Sequence, residues 1–468
     1  MSVLIKGGRV VTAADDYVGD ILVEGERISL IGESLDVPAD RVINATGKYV
    51  LPGCIDPHTH LEMLWRGHTT VDDFYHGHVA AAFGGTTTHV DFCIQGKGQT
   101  YAEALEIWHA KREGKAVIDN GFHIIVTDIE SGTLEELATL PDEHGVTSYK
   151  LFMAYNDSLR ASDEVLFKVM QVAEKTGALV MVHAENGDAI EVLMADAIAA
   201  GKLTPLDHAL TRPPEVEGEA TNRAIQLAHV DGAPLYVVHV SCKESLEPLE
   251  IARDKGWDVW GETCTQYLFV DISFLEREYL EASKFVYTPP PRPKGNQEIL
   301  WNAVRSNALQ AIATDHCAWS IEQKEGGRDD FRLIPNGAGG MENRLHMIHN
   351  FGVRGGRISL NRMVELLSTN PAKLFGMYPR KGTIAVGSDA DIVIFDPEKK
   401  LTISGATHHS ASKMNIFEGT EVTGVPEIVL RRGEIIVEGD ELLAKPGSGQ
   451  FVKRAKFGEE LLPVPAVA

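Results

Sequence analysis

The sequence predicts an α/β protein in which a (β/α)8 barrel is joined to a smaller sheet domain built from both chain ends. Between residues 49 and 316, eight apolar strand-like runs alternate with helical stretches, and eight parallel strands close such a barrel. Both chain ends carry short β-branched runs broken by glycine, which are typical of hairpins. An open doubly wound sheet is the competing architecture, but no GxGxxG motif follows the first strand.

The predicted strands and helices can be assigned to the two domains from their positions in the chain. The sheet domain is expected to use 3–12 and 19–32 from one end, and 388–397 and 427–440 from the other. The barrel strands are predicted at 49–56, 85–92, 121–128, 146–153, 178–185, 234–241, 257–264 and 309–316, with helices such as 101–113 and 163–177 between them. The predicted domains are 1–52 and 379–440 for the sheet domain, 53–378 for the barrel and 441–468 for an extended arm. The arm lacks clear periodicity, so we expect it to be disordered or to lie on a neighbouring subunit.

Composition excludes several partners and compartments. The 468 residues include 44 basic and 67 acidic side chains, for a net charge of −23, which argues against binding to nucleic acid or an anionic membrane. No apolar run approaches the 18 residues of a membrane span, and the N-terminus lacks the features of a signal peptide. The 5 cysteines are scattered without a CxxC motif, which favours a reduced, cytoplasmic protein.

A pair of histidines marks the end of the first barrel strand. His58 and His60 in "DPHTHLE" would project from the same face, because strand residues two apart point the same way. In a barrel, active sites lie at this carboxyl end of the strands. The pattern alone is weak evidence, since His76 and His78 in "YHGHV" repeat it. That second pair leads into an alanine-rich helical stretch, where residues two apart face different directions.

Three later strands end in the same residue types. His183 closes "VMVH", His239 closes "YVVH" and Asp315 closes "QAIATD". Any one of them alone could be an ordinary polar residue bonded to a loop. Together with the first pair they favour a divalent metal site, because imidazole and carboxylate ligands suit Zn²⁺ and similar ions.

Lys150 lies inside an apolar strand run, "SYKLFM", where burying a charged amine is costly. Alternation puts Ser148, Lys150 and Phe152 on one face. Burial near cations lowers the pKa of an amine, and a neutral amine can add CO₂ to become a carbamate. A carbamate has two oxygens and could bridge two metals. The ordinary alternative is a lysine that reaches solvent from a strand edge.

These residues add up to a family resemblance. The stretches "DPHTHLE", "AAFGGTTTHVDF", "SYKLFMAY", "MVHAEN", "VVHVS", "ETCTQYL", "TPPPRPK" and "IATDHC" resemble the dihydropyrimidinase/hydantoinase family of the dinuclear amidohydrolase superfamily. The likeness runs from about residue 1 to 440. It implies a TIM barrel with a β-sandwich formed from both termini, and a homotetramer.

The resemblance also implies a metal site. His58, His60, Lys150 and Asp315 would hold the more buried ion, and Lys150, as a carbamate, would hold the second with His183 and His239. The two ions would be Zn²⁺, with Mn²⁺ or Co²⁺ as alternatives.

Substrate contacts follow from the same resemblance. Tyr155 would stabilise the oxyanion, and Thr288 (in "TPPPR", where the family has "SPPLR") and Asn336 would contact the ring. The stretch after the first histidine pair, "MLWRGHTTVDDF", departs from the family, so the pocket for the ring substituent is expected to use Met63, Leu64 and Trp65, together with Phe152. Ordinary loop packing is the alternative for this stretch.

The implied reaction is the hydrolytic opening of a small cyclic diamide. Substrates would be 5-substituted hydantoins or 5,6-dihydropyrimidines, and the products N-carbamoyl amino acids. Hydroxide generated between two cations would attack a ring carbonyl, while Asp315 would carry the proton to the departing nitrogen. The rivals are another cyclic amidohydrolase, such as a dihydroorotase, and a non-catalytic scaffold of the same family. A dihydroorotase would have an arginine in place of Glu62, whose charge we expect to repel a carboxylate substrate.

Overall fold

The computed structural model describes residues 2–129 and 132–461. Within these residues, none of the helices has the length and apolar content that crossing a bilayer requires. All five cysteines are buried free thiols.

Strands dominate both chain ends, and strands alternate with helices between them. The strands are β1 (Ser2–Val11), β2 (Asp16–Glu24), β3 (Arg27–Gly32), β4 (Arg41–Asn44), β5 (Tyr49–Pro52), β6 (Cys54–Thr59), β7 (Leu64–Trp65), β8 (His68–Thr69), β9 (Thr86–Ile94), β10 (Asp119–Ile125), β11 (Ser148–Phe152), β12 (Leu179–His183), β13 (Leu235–Val237), β14 (Val259–Cys264), β15 (Ala311–Ala313), β16 (Ile392–Thr402), β17 (Glu421–Arg431), β18 (Glu434–Glu438) and β19 (Glu441–Leu442). The α-helices are α1 (Phe74–Phe83), α2 (Tyr101–Arg112), α3 (Thr133–His144), α4 (Asp163–Thr176), α5 (Gly187–Ala199), α6 (Pro205–Leu210), α7 (Pro214–Asp231), α8 (Lys243–Asp254), α9 (Tyr279–Ser283), α10 (Asn296–Ser306), α11 (Ile321–Glu325), α12 (Arg344–Met347), α13 (Leu360–Val364) and α14 (Asn370–Leu374). Short 3₁₀ turns lie at Thr265–Leu268, Ile272–Glu276 and Phe331–Leu333, and π turns at Ile348–Val353 and Glu365–Thr369.

Eight strands, β6 and β9 to β15, form a parallel sheet in chain order. Their residues are almost all buried, as expected for parallel strands covered on both faces. The sheet curls until β15 approaches β6, where Thr59 and His316 form a parallel bridge. At this seam, Nη1 of the buried Arg344 donates to the carbonyl oxygens of Ile55 and Ile312, both at 3.0 Å. The predicted (β/α)8 barrel is confirmed.

The first predicted strand, 49–56, is two strands in the structure. β5 pairs with β1 and β16 in the terminal sheet, whereas β6 pairs with β9 in the barrel. Gly53 separates them and lies so close to Thr87 that a Cβ there would be 2.1 Å from Thr87 Oγ1. The sequence 49–56 reads as one apolar run because β5 and β6 are both buried. The change from one sheet to the other therefore leaves no signal in its apolar pattern.

The two chain ends form one nine-stranded sheet in the order β19-β18-β17-β16-β5-β1-β2-β3, with β4 also paired to β1. One face, including Val50 and Ile394, encloses a core of its own. The alternate residues Leu51 and Val393 face the other way and join the barrel core, as strand geometry requires. The predicted domain from both termini is confirmed.

The arm after β19 does not follow the prediction. Up to Leu461 it lies on the barrel of its own chain, where the backbone amides of Val452, Arg454 and Phe457 donate to carbonyls at the amino-terminal ends of β10, β11 and β12. Its order comes from backbone hydrogen bonds to barrel turns, which leave no periodic signal in the sequence. Residues 462–468 of the predicted arm lie outside the described residues.

Candidate active site

The predicted metal ligands converge at one end of the barrel. Five of them lie at or just after the carboxyl ends of β6, β12, β13 and β15, and Lys150 lies within β11. The carboxyl end of the strands is where (β/α)8 barrels carry active sites. All six line one cavity of about 70 Å³: His58, His60, Lys150, His183, His239 and Asp315. The structure therefore brings together residues that are up to 257 positions apart in the chain.

His58, His60 and Asp315 form the tightest group. The Nε2 atoms of both histidines lie 3.1 Å from Asp315 Oδ1, and the three side chains offer ligand atoms close enough for one metal ion. Desolvation opposes ionisation of Asp315, yet the two imidazoles hold the pKa of this carboxyl well below its usual range. His60 Nδ1 is buried without a hydrogen-bond partner among the described residues. This set of nitrogen and oxygen donors fits a divalent ion.

Glu262 supports this group and escaped the sequence prediction. It lies in β14 with no exposed surface, and its Oε1 is 2.5 Å from His58 Nδ1. The hydroxyl of Tyr236 donates to its other oxygen at 2.9 Å. A carboxylate that holds the second ring nitrogen of a ligating histidine fixes the tautomer and the ring orientation. A glutamate within the buried strand run "WGETC" was the signal available in the sequence.

The other donors line the same cavity as Lys150. His183 Nδ1 and His239 Nε2 face each other at 2.8 Å, and His183 Nε2 is 2.9 Å from Glu185 Oε2. The Lys150 ammonium lies 5.0 Å from the ring centroid of Phe152, and the described residues give it no ion pair. Desolvation lowers the pKa of Lys150 to about 7, although Asp315 opposes the shift. A large fraction of the amine is therefore neutral near neutral pH.

Three residues of the site adopt a left-handed backbone conformation: Tyr155 (φ 64°), His239 (φ 42°) and Asp315 (φ 51°). For residues other than glycine, this conformation costs roughly 1–2 kcal/mol. Such strain concentrates at functional sites, where the surrounding structure holds the side chain in place. At each of these three residues the backbone turns sharply after its strand, and the side chain lines the cavity.

The three predicted ring contacts form a connected polar cluster on one wall of the cavity. Asn336 Nδ2 donates to Thr288 Oγ1 at 2.9 Å and lies 3.4 Å from the hydroxyl oxygen of Tyr155. Desolvation raises the pKa of Tyr155, so its hydroxyl keeps its proton and remains a donor. The cluster offers hydrogen-bonding groups beside the metal ligands, since the Tyr155 ring centroid lies 5.5 Å from that of His183.

A second cavity of about 400 Å³ opens beyond the first, and the two share Trp65, Tyr155, Thr288 and Asn336. Met63 and Phe152, both predicted for the substituent pocket, line the inner cavity. Leu64 does not line either one: it is 65% exposed, and its assignment to the pocket is wrong. It lies in the hairpin β7–β8, where neighbouring residues point to opposite faces, so Trp65 points inward and Leu64 points outward.

Arg66 crosses the mouth of the outer cavity. Its Nη2 donates to Asp157 Oδ2 at 2.8 Å, and its Nη1 donates to the carbonyl oxygen of Arg332 at 2.9 Å. The hairpin is thus tied to the loops that follow β11 and β15. These bonds are solvent-exposed, and such exposed ion pairs contribute only up to about 1 kcal/mol.

Glu62 faces away from the site, contrary to the prediction that its charge would repel a carboxylate substrate. Its Oε1 accepts from Lys115 Nζ at 2.7 Å and from the amide of Phe74 at 3.2 Å, at the start of α1. The backbone turns at Glu62, which has a left-handed φ of 48°. Glu62 therefore gives no information about substrate charge.

The second histidine pair lies on α1, outside both cavities. His76 is exposed and paired with Asp73 at 2.8 Å, whereas His78 is buried and lies 2.6 Å from the ring of His89. The two imidazoles point in different directions, as helical geometry requires.

Comparisons with known proteins agree on one group of relatives. The profile of the amidohydrolase family matches residues 49–436. The chain is 52% identical to the D-hydantoinase of Geobacillus stearothermophilus over 98% of each chain. It is 41% identical to the dihydropyrimidinase of Arabidopsis thaliana over 97% of this chain and 86% of that protein. The crystal structure of dihydropyrimidinase from Brevibacillus agri superposes with a TM-score of 0.97 at 50% identity, covering 98% of this chain and 100% of that one.

Proposed function

The chain belongs to the amidohydrolase family, and we propose that it opens cyclic diamides by hydrolysis. The substrates are 5-substituted hydantoins, 5,6-dihydropyrimidines or both, and the products are N-carbamoyl amino acids. The observation that carries the proposal is the single cavity in which six metal-ligand side chains face Tyr155, Thr288 and Asn336. The D-hydantoinase and dihydropyrimidinase relatives, which align over nearly the full chain, support the substrate class.

We propose that two divalent ions are bound, with Zn²⁺ the first choice and Mn²⁺ or Co²⁺ as alternatives. His58, His60 and Asp315 would hold one ion, and His183 and His239 the other. Lys150, as a carbamate, would contribute an oxygen to each, and the shift of its pKa to about 7 supports that modification. When bound, the ions supply Lewis acidity, which makes water nucleophilic at neutral pH and polarises a carbonyl.

The chain's own residues then orient the ring and move the proton. Thr288 and Asn336 hold the ring, and the Tyr155 hydroxyl donates to the oxyanion that forms when a C–O bond is made at the carbonyl carbon. Asp315 accepts the proton of the attacking water and delivers it to the ring nitrogen as the C–N bond breaks. Protonation is required because an amide nitrogen leaves poorly as an anion. The carbonyl becomes the carboxylate of the product.

The apolar side of the inner cavity, which reaches the outer one at Trp65, suits the ring substituent. Met63, Trp65 and Phe152 present apolar surface next to the ring-binding cluster. Trp65 also packs edge-on against Trp319, with ring centroids 6.2 Å apart, which limits how far it can rotate. We therefore propose that apolar and aromatic substituents are preferred.

A substrate panel tests the proposal. Hydantoin, phenylhydantoin, dihydrouracil and dihydroorotate are each incubated with the metal-loaded enzyme, and the N-carbamoyl product is quantified. We expect product from at least one of the first three and none from dihydroorotate. Opening of dihydroorotate alone would identify a dihydroorotase. A protein that binds essentially no metal and opens no ring would instead be a non-catalytic scaffold.

We also propose that the enzyme is a cytoplasmic homotetramer. Five buried free thiols support a reducing compartment, and the family resemblance supports the tetramer. The arm through Leu461 gives the tetramer no support, because it packs on the barrel of its own chain. Light scattering should give about four times the chain mass of 51.1 kDa.

A further inference from the structure

Lys324 is a buried lysine next to the ring-binding wall. It lies in α11, between β15 and the loop that carries Asn336, and its side chain is 0% exposed. Its Nζ donates to the carbonyl oxygens of Val286 at 2.9 Å, Pro335 at 2.7 Å and Gly337 at 2.9 Å. A lysine ammonium has three N–H donors, so each finds one acceptor. Among the described residues, no carboxylate forms an ion pair with Lys324.

The three carbonyls belong to the segments that present the ring contacts. Pro335 and Gly337 are the two neighbours of Asn336, and Val286 is two residues before Thr288. The Gly337 amide donates to the Val286 carbonyl at 3.0 Å, so the two segments also touch directly. One amino group thereby ties together the backbones that carry Thr288 and Asn336.

Burying a cation without an anion is unfavourable, and here desolvation lowers the pKa of Lys324 to about 7. Lys381, which is also fully buried, offers a comparison away from the active site. Lys381 lies near the amino-terminal end of the barrel and pairs with Asp119 at 2.8 Å and Asp391 at 2.7 Å. Carboxylates thus neutralise Lys381, whereas Lys324 donates only to backbone carbonyls beside the substrate pocket.

We propose that Lys324 is a positioning residue that sets the separation of Thr288 and Asn336, and with it the size of ring that the site accepts. This inference rests on the proposed function, since it concerns the fit of a cyclic diamide. Five-membered hydantoins and six-membered dihydropyrimidines place their carbonyl and N–H groups at different separations. A wall held by three hydrogen bonds discriminates between them, because small displacements of binding groups change rates strongly.

The test compares ring selectivity in Lys324→Met and in the wild type. Lys324→Met keeps an unbranched apolar side chain of similar length and removes all three donors. We measure kcat/KM for hydantoin and for dihydrouracil, metal content and thermal unfolding. We expect the ratio of the two kcat/KM values to change about fivefold or more, with a KM increase of about tenfold for the preferred ring, because the misplaced wall acts mainly on ring binding. Metal content should stay at the wild-type level.

Two variants serve as controls. Tyr279→Phe removes the hydroxyl that donates to the Lys324 carbonyl at 2.7 Å and leaves Nζ untouched. Lys381→Met removes a buried lysine at the far end of the barrel. Both are expected to keep the wild-type ratio, whatever they do to stability. If the wild type opens only one ring, the inhibition constant of the other replaces its kcat/KM in the ratio.

The Lys324 variants can overturn the inference in two ways. A folded Lys324→Met enzyme with the wild-type ratio overturns the inference, even if it loses activity on both rings equally. Should that variant fail to fold, Lys324→Gln is measured in its place against the same expectation. If neither folds, Lys324 serves stability and the inference fails. A wild type that opens none of hydantoin, phenylhydantoin and dihydrouracil contradicts the proposed function instead.

Discussion

Replacing Glu262 by glutamine should weaken metal binding without destroying the site. Glu262 Oε1 is 2.5 Å from His58 Nδ1 and accepts from the His239 amide at 3.3 Å, while Oε2 accepts from the Tyr236 hydroxyl at 2.9 Å. In Glu262→Gln, the amide oxygen can keep the first two contacts, and the Tyr236 hydroxyl can turn to accept from the new NH₂ group. The hydrogen bonds survive, and the negative charge is lost.

The loss of charge sets the size of the effect. A hydrogen bond to a charged group contributes about 1.5–3 kcal/mol and a neutral one about 0.5–1.5 kcal/mol, so the bond to His58 weakens by about 1–1.5 kcal/mol. That corresponds to about a tenfold loss of metal affinity. It falls at the lower end of the roughly 10–100-fold losses seen when the partner of a ligating histidine is changed.

The assay is activity measured in chelator-buffered free metal. We expect Glu262→Gln to need about tenfold more free ion for half-maximal activity and to recover wild-type activity at saturation. Tyr236→Phe keeps the charge and should shift half-activation by less than about threefold. Half-activation at the wild-type concentration would refute the orienting role. Activity that excess metal does not restore would refute it too, since Glu262 would then take part in the chemistry.

The remaining predictions concern the substituent pocket, the proposed carbamate and the proton carrier. Trp65→Ala should lower kcat/KM for phenylhydantoin relative to hydantoin by about tenfold, the equivalent of one aromatic contact, whereas the outward-facing Leu64→Ala should leave the ratio unchanged. Equal effects of the two would contradict the assignment. Lys150→Ala should lose at least one bound ion and all hydrolysis, and metal analysis showing full occupancy would argue against the carbamate. Asp315→Ala should abolish turnover while retaining much of the metal, and unchanged activity would rule out its proton transfer.

The strand ends were predictable because parallel barrels enforce a simple rule. Buried strands read as apolar runs, their carboxyl ends meet at one mouth, and a polar residue at such an end is conspicuous. His58, His183 and Asp315 were found in this way, and Lys150 was conspicuous inside a strand. Glu262 shows the limit of the rule, because its role depends on a partner in another strand 204 positions away.

Direction is harder to predict than position. Leu64 and Glu62 lie beside the pocket in sequence, yet both side chains point away from it. Their directions depend on the short hairpin β7–β8 and on a left-handed turn at Glu62, and position in the sequence specifies neither. Lys324 escaped notice for a related reason. Its acceptors are main-chain carbonyls, which every residue has, so the residue types in the sequence do not reveal them.

The pairing of β5 with β16 ties folding to completion of the chain. Val50 lies opposite Ile394. At about 5–20 residues per second, the ribosome takes on the order of 20–70 s to synthesise the chain from the first of these residues to the second. During that interval β1 to β5 have no partner from the other end, and the amino-terminal ends of β10 to β12 wait still longer for the arm. Contacts this distant along the chain slow folding and prolong the exposure of unpaired strand edges. The nascent protein is thus most prone to aggregate just before synthesis ends, and C-terminal truncation should reduce yield before it reduces specific activity.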